Sequence, residues 1–223
     1  MRSMTPMPGD PWPHDMIITV DDRPHALLEL LWVREAHGLV PVDDALPPLL
    51  VDRPAEAERP LDAQTRDHWA EVWPRIWDKA VAHAATEPDR TLFDRALDPT
   101  MGPDERETLL GQLVGPTARD EFGDDVFGDA AYREWERRGS DAHLATNRTI
   151  LADSPEHRDV ATLADAWRRG LGKVVTLPCR GVYVRQIGPR ALLVTDAVRN
   201  EAATYRTALE SFRRSSSQRP STA

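Results

Sequence analysis

The chain is poor in the residues that build recognisable chemical sites. One cysteine, Cys179, stands among 223 residues, which excludes an internal disulfide framework and any metal centre made of several thiolates. Nothing in it calls for an oxidising compartment, so the expected location is the cytoplasm. No apolar run approaches the ~20 residues of a membrane span, and residues 1–15 carry four prolines and no apolar segment of the kind that directs secretion. Lysine is confined to Lys79 and Lys173, with arginine at the other basic positions. Together with abundant alanine, that bias reads as the codon usage of a GC-rich bacterial genome.

The usual signatures of catalysis are equally scarce. Apart from Ser211 and the end segments, serine occurs only at Ser140 and Ser154, and Gly-x-Ser-x-Gly is absent. The seven histidines, among them His143 and His157, form no His-x-Glu, His-x-x-x-His or His-Glu-x-x-His pair. A metal site would need distant elements to gather side chains such as His143, His157 and Asp159. Asp120 to Asp125 has the composition of a calcium loop without its ligand positions. Gly170-Leu171-Gly172-Lys173 lies between a helical pattern and a strand pattern, the reverse of a phosphate-binding loop. Cys179 sits beside Arg180, which would depress a thiol pKa, but no histidine is placed next to it in sequence. No cofactor and no metal are expected.

What is present is a helical chain with a strand-rich end. Residues 1–15 and 213–223 lack periodicity and read as disordered tails around one domain over 16–212. Met16 to Val20 is a short β-branched run. Asp21-Asp22 then offers an N-cap and Pro24 a first helical turn, for a helix to about His37 whose leucines leave little polar face. Prolines at 41, 47, 48, 54 and 60 keep residues 39–61 extended. Trp69, Val72, Trp73, Ile76, Trp77, Ala80, Val81 and Ala84 mark a second helix, its tryptophans facing a core, with Pro74 expected to kink or divide it. Three short helices are expected over 87–139, and another from Ser154-Pro155 to Gly170 or Gly172. Residues 174–177, 182–187 and 191–195 are β-rich and read as an antiparallel meander, followed by an amphipathic helix over 198–212. The expected fold is α+β: a mostly helical domain with a small C-terminal antiparallel meander, joined at one edge by the strand near residues 16–20.

Charge is the most informative quantity. Residues 165–223 hold 11 basic and four acidic residues, so the formal net charge of −9 divides into +7 there and −16 over 1–164. The basic part docks either on the acidic body of its own chain or on a partner. The functional expectation is a non-catalytic binding or accessory protein that recognises an acidic protein or a small anion through Arg180, Tyr183, Arg185 and Arg190. Nucleic acid is disfavoured, because an acidic body repels phosphate and no reading motif is present. The alternatives are an enzyme whose site is assembled from distant His, Asp and Arg residues, or a nucleic-acid-associated regulator.

Overall fold

In a computed structural model the chain is described at residues 12–43, 45–87, 90–96, 98, 100–146 and 154–213. Most of the two segments read as tails, residues 1–11 and 214–223, lies outside this range. Trp12 lies inside it and is buried, its indole N–H donating to the Met16 carbonyl at 3.1 Å and its rings stacked on His157 at 5.0 Å.

The chain is α+β. Strand β1 (Thr19–Asp21) leads to helix α1 (His25–Ala36), whose side chains from Leu27 to Arg34 are all buried. A helix buried all round its circumference is the outcome expected of a segment without a polar face. The proline-rich crossing follows, then α2 (Ala63–Ala84), capped by the Asp62 carboxylate on the Thr65 N–H at 2.7 Å. It runs undivided through Pro74 and buries Trp73, Ile76, Trp77, Ala80 and Val81, one face of a 3.6-residue period. Helices α3 (Arg90–Ala96), α4 (Pro103–Val114) and α5 (Arg119–Phe122), a 3-10 turn (Asp124–Gly128) and α6 (Ala130–Thr146) come next. Ser154 caps α7 (Pro155–Arg158), which leads to α8 (Val160–Arg168).

The strands depart from the expected meander. Sheet order is β1, β2 (Lys173–Leu177), β4 (Ala191–Thr195), β3 (Val184–Gln186). β1 pairs parallel with β2 (Val20 opposite Val174), β2 parallel with β4 (Val175 opposite Leu193), and only β3 runs antiparallel, against β4. The physical reason lies in the side chains. Every residue of β2 and β4 is buried, so both strands need a neighbour on each side and a layer on each face, as in parallel sheets. Val184-Arg185-Gln186 is half-exposed and suits only an edge.

Two apolar layers flank the sheet. Val175, Leu177, Ala191 and Leu193 face α1 and α2, while Val174, Leu192 and Val194 face Met16, Ile18, α8 and the closing helices α9 (Asp196–Asn200) and α10 (Ala202–Ser211). The helix after β1 therefore packs on one face and the helices after β4 on the other. The backbones part at the carboxyl ends of three parallel strands, which is where open α/β sheets leave a crevice.

Candidate functional site

That crevice is a cleft of about 580 Å³ with a predominantly apolar wall. Its floor is made by the residues that follow the three parallel strands: Asp22 and Arg23 after β1, Pro178 after β2, and Asp196, Arg199 and Asn200 after β4. Its roof is α6, which contributes Trp135, Arg138, Gly139 and Ala142 at helical spacing, together with Glu136 and His143. Leu50 and Val51 close one side, held there because the Val51 N–H donates to the Pro178 carbonyl and the Arg180 N–H to the Leu49 carbonyl.

The arginines of the cleft are already engaged. Arg23 donates to Glu136 at 3.0 Å, and Ser140 donates to the same carboxylate. No side chain stands between Arg23 and α6, because Gly139 occupies that point: a Cβ there would lie 3.1 Å from the guanidinium. Arg138 pairs with Asp52 at 3.0 Å, and the Trp135 indole donates to the Asp52 carbonyl. Arg199 makes a two-pronged contact with Glu156, 2.8 Å on each arm, and the Tyr205 hydroxyl donates to the same carboxylate, which is 1% exposed. Such a fork fixes the guanidinium plane and leaves little of its charge for a ligand.

Two carboxylates have no arginine pair. Asp22 faces His143, Oδ2 to Nδ1 at 3.8 Å. It does not cap α1, contrary to expectation: Pro24 stands at the N-cap, and its carbonyl accepts the Leu27 and Leu28 N–H groups. Asp196 opens α9 and is half-buried. Burial pushes its carboxyl pKa up and the charge of Asp22 adds to this, while Thr176 and Arg199 oppose it. The Thr176 side chain is fully buried, and its hydroxyl makes no hydrogen bond of good geometry. It lies beside the Asp196 carboxyl and holds its pKa down against the effect of burial.

The residues singled out by charge lie elsewhere. Arg180 donates to the Leu50 carbonyl and the Tyr183 hydroxyl to the Ala45 carbonyl, so both fasten the loop that follows β2. Arg185 reaches Asp78 at 3.0 Å and Arg190 reaches Glu87 at 3.0 Å. These two line one hollow of about 460 Å³ between α2 and the turn joining β3 to β4. His143, His157 and Asp159 do not converge: His157 meets Ser154 and Trp12, while Asp159 meets Arg158 and Arg206. Among the described residues no group of three His, Cys, Asp or Glu side chains could hold a metal ion. Cys179 is buried, its thiol pKa pushed up to about 12 chiefly by that burial.

Of the cleft residues only His143 stood out in the sequence. The signal that could have led to the rest is the continuous apolar character of 174–177 and 191–195, which marks two parallel, doubly covered strands and so directs attention to the residues just after them. Comparison with known proteins finds no family model, no curated protein and no solved structure that matches the chain.

Proposed function

We propose that the protein binds a small organic molecule in the cleft at the carboxyl ends of β1, β2 and β4. The observation that carries this reading is the convergence of Asp22, Asp196 and the apolar face of α6 on one cavity where the chain leaves the sheet towards opposite faces. Its volume suits a ligand of metabolite size. The catalytic form of the reading casts Asp196 as proton donor, because its carboxyl pKa is raised, and Asp22 with His143 as the proton-accepting pair. The test is metabolite retention. Ala142 is exposed on α6, so Ala142→Trp should fill the cleft without disturbing the core. Mass spectrometry of small molecules carried from a cell extract should find a species held by the native protein and lost from Ala142→Trp. Identical small-molecule profiles for the two proteins would refute the reading.

A second reading keeps an acidic protein or small anion as the partner, at the hollow bearing Arg185 and Arg190. The observation that favours it is that both arginines share one surface through exposed ion pairs, which a stronger anion can exchange at little cost. Arg185→Glu with Arg190→Glu should lower such association and remove its salt dependence. Association unchanged by the double substitution and by salt would exclude this face.

A further inference from the structure

A second cavity of about 650 Å³ shares no lining residue with the cleft. It opens between the start of α1 and the end of α2, with Ala26, Leu27, Ala80, Ala84 and Leu113 in its apolar wall. Strand register brings two charges to it. Asp21 stands opposite Val175, which faces α1 and α2, and Lys173 lies two residues before Val175 on the same face of the sheet. We propose that this cavity binds a zwitterionic α-amino acid with an apolar side chain, its carboxylate on the Lys173 ammonium, its ammonium on the Asp21 carboxylate and its side chain against the apolar wall.

The support is a buried ammonium that the chain holds loosely. The Lys173 side chain is 9% exposed, against 32% for Asp21. Its three donors are met, among the described residues, by the Asp21 carboxylate at 3.6 Å and the Thr86 carbonyl at 3.5 Å. Both lie beyond the range of about 2.7–3.2 Å of an ordinary N–H···O bond. A charge taken out of water is stabilised by close partners, as in the buried Arg199 and Glu156 pair at 2.8 Å. Lys173 lines the cavity, so a ligand carboxylate entering there supplies the close acceptor. The other polar groups of the wall are engaged: Glu87 by Arg190 at 3.0 Å, and His83 by the Leu113 carbonyl at 3.1 Å, while His25 faces Glu29 at 3.8 Å. One charge of each sign is left facing the hollow. A simple anion meets Asp21 and a simple cation meets Lys173, whereas a zwitterion complements both. The volume suits a ligand of metabolite size.

Three probes of one shape test this on the intact chain: L-phenylalanine, 3-phenylpropanoate, which lacks the ammonium, and phenethylamine, which lacks the carboxylate. Each is titrated to millimolar concentration with amide chemical shifts as readout. L-Phenylalanine should shift the amides of residues 21, 25–27, 83–87, 113 and 173, and each of the other two should bind more weakly by about tenfold or more. Lys173→Met should remove the response. Asp21→Asn changes the more exposed partner, so it serves as the second variant where Lys173→Met disturbs the native spectrum; it should weaken L-phenylalanine and leave 3-phenylpropanoate bound as well as before or better. If either truncated probe matches L-phenylalanine, or if a natively folded Lys173→Met retains the response, the assignment falls. It falls equally if L-phenylalanine leaves these amides unmoved, or if shifts appear only at residues 22–23, 139–143 and 196–200, which belong to the first cleft.

Discussion

Two side chains carry unfavourable burial that the rest of the fold tolerates. Asp196 has a folded-state carboxyl pKa above its unfolded value of about 3.9, so folding favours its protonated form. That contribution is complete below about pH 4 and is lost as pH rises through the folded value, leaving a costly half-buried charge at neutrality. Asp196→Asn, which keeps shape and removes charge, should therefore melt higher than the native protein at pH 7, and the gap should close on acidification to about pH 4. Calorimetry across that range checks it. His37 has the opposite sign. Its ring meets Trp32 at 5.6 Å and Trp69 at 5.3 Å, neither nitrogen has a hydrogen-bond partner, and burial lowers its pKa, with Asp129 opposing and Arg66 adding. The unfolded chain takes up the proton first, so stability falls as pH drops below about 6.5. His37→Phe keeps the aromatic contacts and removes two unpaired polar atoms. It should equal or exceed the native stability at pH 7 and lose less between about pH 6.5 and 5, measured by urea unfolding at each pH.

At the scale of elements, α2 shows a tryptophan ridge divided between two roles. Trp73 and Trp77 stack at 5.1 Å and are buried, and the Trp73 indole donates to the Leu30 carbonyl of α1 at 2.8 Å. Trp73→Ala should cost roughly 3–5 kcal/mol in chemical denaturation, since it opens a cavity and removes the indole hydrogen bond that ties α2 to α1. Trp69 is half-buried, against Phe122 and His37, so Trp69→Ala should cost less than half as much. Equal losses for the two would place Trp69 in the core as well. The helix itself was legible because a 3.6-residue period over this length has one solution. The arrangement of the strands was not, because β-rich runs joined by short turns fit a meander and a β2-β4-β3 order alike. What separates the two is which faces are covered, and that depends on α1 and α2, remote in sequence, as well as on α8 and α10.

For the whole molecule, the charge asymmetry is met in part within the chain. Basic residues of the C-terminal quarter reach acidic residues of the remainder through Lys173 and Asp21, Arg185 and Asp78, Arg190 and Glu87, Arg199 and Glu156, and Arg206 and Asp159. Their energetic weight differs with burial. Arg199→Ala would leave Glu156 buried and unpaired, a loss of roughly 3–5 kcal/mol. Arg185→Ala breaks a pair exposed to solvent and should stay within about 1 kcal/mol. Comparable losses for the two in urea unfolding would contradict this ordering. By itself the sequence determined the α+β class, the position of the main helices through apolar period and through start signals such as Ser154-Pro155, and the opposite signs of its two parts. Those are local or summed properties that need no knowledge of contacts. Only the tertiary structure decided that β4 inserts beside β2, that α1 and α9 depart to opposite faces, and that Asp22, His143 and Asp196 meet. Residues 121 and 53 positions apart carry no mutual pattern in the chain, and only the covering of both faces of one sheet brings them to a common cleft.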